Sequence, residues 1–419
     1  MKDIKMKSSP YILKNTDFRT IQFRVIFPFL RKDEEIAHVD MLPAMLHNLS
    51  MKYPSEELFS LECKKLYILS AFCLKTVYCN MCYFEFNLSV PDEDALEDGL
   101  LEKQLEFFSE MIYNPYVKNN HFLEFEVDRE KKNFKKDIDN ALKSASLYSN
   151  IKVKELIDDV GVYSSSIFNH INQIDEVTPE SLYNFYLDKV KNNQPIIFVM
   201  GNVNKKKINN LCNKYLYRNK FNDKYFSVDV DNYFKPRKKT NNAEEDSNFK
   251  NSIITYVYKV KDMSYDDEIL LNVCRDLLTS LSSRLLNKKL RDDNDLVYSS
   301  TVNVSLKYGL FIITSSINKN MVDIVKEKIL EVINDLKDEE MVSPYLDNIK
   351  ERFRVSLIRR LDNKNSLFKE FVITELGLDI SEEEYYKKLL KVKTSDISSF
   401  IDRLVLDTVY FLKEEDVHE

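Results

Sequence analysis

The chain has 419 residues, 44% of them hydrophobic, and a formal net charge of −7, so it can fill two hydrophobic cores without covalent cross-links. The acidic balance argues against nucleic-acid binding, and a chain with five glycines and no GxGxxG or GxxxxGK[ST] motif is unsuited to phosphate-binding loops. The N-terminus lacks a signal peptide's apolar segment, and no run of about 18 apolar residues predicts a membrane span, so we expect a cytoplasmic protein.

The six cysteines do not predict a disulfide framework or a metal site. Cys79 and Cys82 form a nominal CxxC, but the pattern around them predicts a strand, in which residues three apart point to opposite faces. We therefore expect all six thiols to be reduced and mostly buried.

The first half of the chain predicts an α+β unit. A strand at 20–27 precedes a helical apolar stripe in residues 34–50. The later elements are a helix at 57–69, a hairpin of strands at 71–76 and 79–90, an amphipathic helix with Leu101, Leu105, Phe108 and Ile112 on one face, a long charged helix at 122–144, a helix with Thr178 as N-cap, and an apolar strand at 195–201.

The second half repeats this plan. Its elements are a strand at 252–260, a helical run that ends near Leu290, a hairpin at 297–306 and 310–314, an amphipathic helix with Val322, Val325, Ile329 and Ile333 on one face, a charged helix at 345–362, a helix with Thr394 as N-cap, and a strand at 407–413. We therefore predict two homologous α+β domains, 1–218 and 251–419, each an antiparallel-rich sheet packed with helices on one face.

Two stretches of the sequence are rich in basic residues. The polar, Pro-interrupted segment 219–250 is predicted to be a linker, and its basic cluster is either solvated or binds an acidic partner. That cluster consists of Lys235, Arg237, Lys238 and Lys239. The run at 129–136 on the long charged helix is typical of a solvated face.

The duplication, the helix after the first strand and an Arg-x6-Tyr element resemble the M16 family, which includes insulinase, pitrilysin and mitochondrial processing peptidase. Arg291 and Tyr298 form that element at the opening of the second hairpin. The resemblance covers nearly the whole chain, and the segments 52–67 and 391–413 are similar to non-catalytic bacterial M16B proteins. It implies the duplicated M16 fold in a two-domain subunit.

Active members carry the zinc motif HxxEH on the first helix, where two His ligate the metal and the Glu activates its water. Here Ala44 and Asn48 occupy the positions of the two His, and His47 that of the Glu. The family's distal Glu ligand corresponds, by spacing from Glu130, to Asp137. The resemblance therefore implies a degenerate site and no zinc in this chain; His47 is more typical of helix packing than of a site residue.

Arg291 and Tyr298 match the family's substrate-binding pair. An Arg fork can hold a peptide carbonyl or carboxylate, and a Tyr hydroxyl can donate to the oxyanion of the tetrahedral intermediate. The polar strand that follows, beginning with Ser299, Ser300 and Thr301, is expected to accept an extended peptide as an added strand.

Two functions follow from the resemblance. In the first, the chain is a zinc-less subunit of a heterodimeric M16B metallopeptidase that processes peptides, and an HxxEH-bearing partner supplies the zinc. In the second, it is a scaffold or peptide-binding protein with no role in catalysis. An autonomous metallopeptidase would require His47, Asn48 and Asp137 to hold a metal.

Overall fold

The computed structural model describes residues 2–92, 99–157, 171–217, 224–229, 233–280 and 283–414. The chain divides into two compact units. The first comprises Met1–Asp137, Ser165–Val230 and Leu367–Asp379, and the second comprises Ile138–Ser164, Asp231–Ser366 and Ile380–Glu419. Each unit thus includes a segment from the opposite half of the chain, whereas we expected the consecutive domains 1–218 and 251–419.

The first unit is built on a mixed β-sheet. Its strands are β1 (Lys2–Met6), β2 (Tyr11–Lys14), β3 (Thr20–Leu30), β4 (Ser70–Tyr78), β5 (Met81–Pro91), β6 (Ile196–Gly201) and β7 (Lys224–Val228). The sheet has the order β2-β6-β3-β5-β4, in which β2 and β6 are parallel and the other neighbours are antiparallel. β1 and β7 form a separate antiparallel ribbon.

The five predicted helices of the first half occur in the predicted order, together with three that were not predicted, at 145–157, 171–176 and 205–215. They are α1 (Ile36–Met45), α2 (Glu56–Lys65), α3 (Leu100–Tyr113), α4 (Glu124–Leu142), α5 (Ala145–Ile157), α6 (Ile171–Glu176), α7 (Pro179–Tyr186) and α8 (Lys205–Tyr215). The predicted apolar face of α3 is buried, including Leu105, Phe108 and Ile112. At the end of α3, the Tyr113 ring lies edge-on to Phe27 of β3, with 6.2 Å between ring centroids, so α3 covers the sheet.

The second unit has the same architecture. Its strands are β8 (Asn241–Asp246), β9 (Ser252–Val260), β10 (Val297–Ser305), β11 (Leu310–Ile317) and β12 (Leu404–Lys413). The helices of this half are α9 (Asp267–Thr279), α10 (Leu285–Asn287), α11 (Val322–Asp335), α12 (Glu339–Leu361), α13 (Lys364–Glu375), α14 (Glu382–Lys391) and α15 (Thr394–Ile401). Val325, Ile329 and Ile333 of α11 are buried in one core with Val302 and Phe311 of the sheet, as predicted.

The strand orders of the two sheets are equivalent, which supports the predicted duplication. The second sheet reads β8-β12-β9-β11-β10, and its parallel pair, β8 and β12, corresponds to β2 and β6. β8 lies inside the segment 219–250 that we expected to be a linker. The α+β duplication is therefore confirmed, and each repeat begins with a short strand that the sequence did not reveal.

Each sheet also carries a helix on its second face, in addition to the predicted one-sided packing. In the second unit, Val153 and Ile157 of α5 pack against Val257 of β9. In the first unit, Phe368 and Val372 of α13 pack with the buried face of β6. The two helices are the segments that each half of the sequence contributes to the other unit.

Arg237 has a structural role that differs from both expectations for its basic cluster. Its guanidinium contacts the carboxylate of Asp407 at 2.8 Å, and Lys259 lies 3.0 Å from the same carboxylate. Asp407 is fully buried, so these two cations compensate a charge that could not otherwise be held in the core. The Arg237 guanidinium also donates to the backbone oxygen of Leu156 at the end of α5.

Two further local predictions differ in detail from the structure. Thr178 caps α7 as predicted, accepting from the Ser181 amide at 3.0 Å, but the N-cap of α15 is Lys393 and not Thr394. Cys79 lies in the turn between β4 and β5 with φ of 50°, and not in a strand. Within the described part of the chain, none of the helices combines the length and apolar character that a bilayer crossing requires.

Candidate functional site

A cavity of about 200 Å³ in the first unit brings together the degenerate motif and the long charged helix. Ala44, His47 and Asn48 line it together with Glu126, Arg129 and Glu130 of α4. Glu56, Tyr116, Phe122 and Leu123 are among the remaining lining residues. Three of the four positions that the resemblance assigned to a degenerate zinc site therefore line one cavity.

The helix that carries the motif ends before the motif does. α1 stops at Met45, with Pro43 in its last turn, although the apolar stripe predicted helix to residue 50. Asn48 has φ of 57°, the left-handed conformation that commonly ends helices. His47 and Asn48 consequently lie in a turn, and the i, i+3, i+4 geometry of an inverted zinc motif is lost.

His47 is held in its neutral form. Its Nδ1 accepts from the backbone amide of Cys73 at 3.5 Å, which fixes the ring against β4. Burial lowers the pKa of His47, an effect that the nearby Glu130 carboxylate partly opposes. A neutral, half-buried imidazole bound to the backbone is consistent with the packing role expected for this residue.

Arg129 supplies the positive charge of the cavity. Its guanidinium forms an ion pair with Glu126, and its Nε lies 3.5 Å from Glu130. Both carboxylates are largely buried, with 13% and 16% of their side-chain surface exposed. The carboxylates that α4 directs at the cavity are therefore Glu126 and Glu130, whereas the predicted Asp137 is exposed, two turns further along, and is not a lining residue.

These donors do not fit a zinc ion. Ala44 has no ligand atom, Asn48 is exposed in a left-handed turn, and Arg129 already engages both glutamates. Among the described residues, no three His, Cys, Asp or Glu side chains are grouped closely enough to hold a metal ion.

Arg291 lies at the start of the second candidate element, in the second unit. It belongs to a single π-helical turn, Lys288–Asp292, that follows α10. The Leu296 amide donates to the Leu290 oxygen at 2.8 Å, and the Asp295 amide donates to the Arg291 oxygen at 2.9 Å. These two hydrogen bonds close the turn that leads into β10. The Arg291 side chain is exposed and has no hydrogen bond or ion pair with any described residue, so its fork is available to a ligand.

Tyr298 is displayed at an irregular position of an edge strand. Among the described strands β10 pairs with β11 alone, and the register shifts between Val297 and Ser299, so Tyr298 is the extra residue of a β-bulge. Bulges at sheet edges commonly redirect a side chain. Here Val297 stays buried while 59% of Tyr298 is exposed.

On the outer edge of β10, alternate backbone N–H and C=O groups point away from β11, and no described strand pairs with them. Ser299 and Thr301 are exposed beside it. The hydroxyl of Ser300, the third predicted binding residue, lies 2.8 Å from that of Ser315 across the pair. The strand can therefore offer its backbone to a peptide, with Ser299 and Thr301 beside the edge.

Glu126 and Arg129 were not predicted from the sequence to belong to the site. The signal was present, because residues three and four apart share a helix face, which places Glu126, Arg129 and Glu130 together. The surrounding lysine-rich run instead suggested a fully solvated face. Lys135 does fit that description, with an exposed ion pair to Asp175 at 2.6 Å.

The equivalent sheets, a motif cavity without zinc ligands and an Arg/Tyr element on an edge strand are consistent with the resemblance to the M16 family. Residues 176–353 match the family described as "Peptidase M16 inactive domain". The chain is also 22% identical to the "Probable inactive metalloprotease YmfF" of Bacillus subtilis (strain 168), over 96% of this chain and 95% of that protein.

Solved structures agree in fold. A conserved protein from Enterococcus faecalis V583 superposes with a TM-score of 0.88 at 18% identity, covering 100% of both chains. A peptidase M16 inactive domain from Pseudomonas fluorescens superposes with a TM-score of 0.70 at 11% identity, covering 100% of this chain and 98% of that one. The predicted resemblance to the M16 family, in its inactive form, is confirmed.

Proposed function

We propose that this chain is the non-catalytic subunit of a heterodimeric M16-type metallopeptidase that processes peptides. In this proposal Arg291 and Tyr298 bind the substrate and stabilise the oxyanion, and a partner that carries HxxEH supplies zinc and its catalytic Glu. The supporting observation is that Tyr298 is exposed on a β-bulge of an edge strand, and that Arg291, seven residues earlier in the chain, has no hydrogen bond or ion pair with any described residue.

The chemistry of the element suits this role. A peptide that adds to the edge of β10 is aligned by backbone hydrogen bonds, which do not depend on its sequence. A Tyr hydroxyl beside that edge can donate to the oxygen that becomes negative when water attacks the peptide carbon. The Arg291 fork can hold a carbonyl or a carboxylate of the same peptide in two hydrogen bonds.

The proposal is tested by zinc content and peptide hydrolysis. Both are measured on the chain alone and after co-expression with an HxxEH-bearing relative from the same genome, using metal analysis and a fluorogenic peptide. We expect zinc and activity only in the pair, and loss of activity with Tyr298→Phe. Tyr225→Phe is the matched control, because Tyr225 is also an exposed strand tyrosine, at 66%, but belongs to the first unit.

The alternative is a scaffold or peptide-binding protein without a catalytic role. Full activity of a pair that carries both Arg291→Ala and Tyr298→Phe would favour it, as would failure of the pair to assemble. Stoichiometric zinc in the chain alone would contradict both readings, because it would require His47, Asn48 and Asp137 or the α4 glutamates to act as ligands.

A further inference from the structure

The exposed side chain of Tyr298 is directed by the backbone and not by contacts of its own. It makes no hydrogen bond, ion pair or ring contact with any described residue, and 59% of it is exposed. Its direction therefore depends on the β-bulge, in which it is the extra residue between Val297 and Ser299. Whatever fixes the position of this bulge also fixes the position of the Tyr298 hydroxyl.

The burial of Val297 makes a bulge necessary. Val297 and Val302 lie in the same core, with 5% and 6% of their surface exposed, and Val297 pairs there with the fully buried Ile317. The two valines are five residues apart, and in a regular strand residues an odd number apart point to opposite faces of the sheet. One extra residue between them is therefore needed to bring both side chains into one core.

Ser300 limits the bulge from the other side. Its hydroxyl shares a hydrogen bond of 2.8 Å with the hydroxyl of Ser315, which is fully buried. A buried hydroxyl without a partner costs free energy, so this bond favours the register that joins the two serines. In that register Ser299 pairs with Ser316. The extra residue must therefore precede Ser299, which leaves Tyr298.

We propose that Val297 and Ser300 are positioning residues for Tyr298. The burial of Val297 forces an extra residue into β10, and the hydrogen bond between Ser300 and Ser315 confines it to position 298. Without burial at position 297, the regular register would continue and pair position 298 with Ile317, which turns that side chain toward the core. The inference deepens the proposed function and rests on it for the part that Tyr298 takes in hydrolysis.

The substitution Tyr298→Trp supplies a reporter of the bulge, because the chain contains no tryptophan. We expect its emission at long wavelength and ready quenching by acrylamide, as for an exposed indole. Adding Val297→Asn should shift the emission to shorter wavelength and protect the indole from acrylamide, since an amide side chain favours exposure and the regular register then buries its neighbour. Unchanged emission and quenching in a folded variant would overturn the role of Val297.

The matched control is Val302→Asn in the same Tyr298→Trp background. Val302 is as deeply buried in the same core, but it lies beyond the bond between Ser300 and Ser315, so its replacement lowers stability without moving the bulge. Urea unfolding compares the stabilities of the two valine variants. An equal emission shift with Val302→Asn would indicate general loosening of β10 and would overturn the proposal.

The part assigned to Ser300 is tested in the same background. Ser300→Ala removes the hydrogen bond to Ser315, so the bulge can move along β10, and we expect a smaller shift toward short wavelength than with Val297→Asn. Asn303→Ala, at an exposed residue of the same strand, should leave the emission unchanged. Emission of Ser300→Ala that matches the Asn303→Ala control would remove Ser300 from the proposal.

The exchange Val297→Tyr with Tyr298→Val decides the question if Val297→Asn folds poorly. In the regular register this exchange buries a valine opposite Ile317 and exposes a tyrosine one position earlier, so no bulge is needed. We expect a urea midpoint close to that of the wild type. In the pair with an HxxEH-bearing relative, kcat should nevertheless fall about 100-fold at similar KM, because the hydroxyl is displaced from the reacting carbonyl. Wild-type kcat in this variant would overturn the proposal.

The two readouts separate failure of this inference from failure of the proposed function. Fluorescence is measured on the chain alone and needs neither a partner nor hydrolysis. If Tyr298→Phe left hydrolysis by the pair unchanged, the proposed function would fail, and fluorescence would still decide how the bulge is placed. Val297→Ile keeps a β-branched apolar side chain and should preserve both the emission and kcat. Loss of either would mean that burial at position 297 does not place Tyr298, and would overturn the inference.

Discussion

Arg129 in the first unit is bonded to two carboxylates on its own helix, whereas Arg291 in the second unit has no ion pair with any described residue. His47 is likewise held by a backbone amide, while Tyr298 is displayed by a bulge. The two elements that the M16 resemblance identified therefore differ in kind. In the cavity of the first unit the polar groups bond to each other. At Arg291 and Tyr298 they face solvent and can bind a ligand.

Because of this difference, substitutions in the two units should have different effects on stability and on function. Substitutions in the cavity of the first unit should change stability, because each removes a partner of a buried group. Substitutions at Arg291 or Tyr298 should change function and leave stability within about 0.5 kcal/mol, because exposed side chains without partners contribute little to folding. A functional loss in the first unit, without a stability loss, would contradict this division.

The largest effect is expected from Tyr298→Phe in the heterodimer. Removing one oxyanion donor lowers kcat by about 100- to 1000-fold. The measurement is steady-state hydrolysis of the fluorogenic peptide by the pair, with equal zinc content verified. Unchanged urea unfolding of the variant chain is the control for folding, and undiminished kcat would remove Tyr298 from the proposed mechanism.

Arg291→Ala is expected to lower kcat/KM by about 10- to 100-fold, because a charge-assisted pair of hydrogen bonds to the substrate is lost. A change confined to KM indicates anchoring, and a change in kcat indicates action in the transition state. Arg291→Lys should recover only part of the loss, since Lys lacks the planar fork. Arg19→Ala, at an arginine whose side chain is 81% exposed in the first unit, is the control and should leave both constants unchanged.

Much of the fold could be predicted from the sequence, because its elements have strong periodic patterns. The buried positions of α3 and α11 follow the 3.6-residue period, and the hairpin of β10 and β11 follows the alternation of apolar side chains. β2 and β8 could not be found in this way. They are short, β8 is polar with the sequence NNAEED, and their parallel pairing with β6 and β12 connects residues far apart in the chain.

The candidate site was predictable in position but not in detail. The alignment of Ala44, His47 and Asn48 with the zinc motif located the cavity. The early end of α1 was foreseeable from Pro43, which lacks an N–H donor, and from Asn48, which tolerates the left-handed conformation. The bulge at Tyr298 was not foreseeable, because it depends on the register between β10 and β11, which the spacing of residues in the sequence does not indicate.

A smaller effect is expected when the cation of the first unit's cavity is removed. Arg129→Gln leaves Glu126 and Glu130, four residues apart on one helix face and largely buried, without their shared partner. Because half of the Arg129 side chain is exposed, we expect a loss of only about 1 kcal/mol in the free energy of unfolding. Urea unfolding measures it.

Lys132→Gln is the control, because Lys132 is an exposed lysine of α4 that does not line the cavity. The difference between the Arg129 variant and the wild type should shrink in about 1 M NaCl, where charges are screened within about 3 Å. A variant as stable as the wild type at low salt would mean that solvent already satisfies the two glutamates.

The smallest effect concerns pH. Burial lowers the pKa of His47 despite the opposing Glu130, so the folded state binds this proton less readily than the unfolded chain, whose His titrates near about 6.5. Stability is therefore complete above that pH and declines as the pH falls below it, until the folded His47 is also protonated. His38, whose pKa is likewise lowered by burial, contributes in the same direction.

Replacing His47 with Asn removes one of these titrations and can keep the hydrogen bond from the Cys73 amide. The urea midpoint should then fall less between pH 7.5 and 5.5 for His47→Asn than for the wild type, while the two respond alike between pH 7.5 and 8.5. If the urea midpoint fell equally for both proteins between pH 7.5 and 5.5, the His47 ring would be protonated as easily in the cavity as in water. The cavity would then be as open to solvent as the β10 edge.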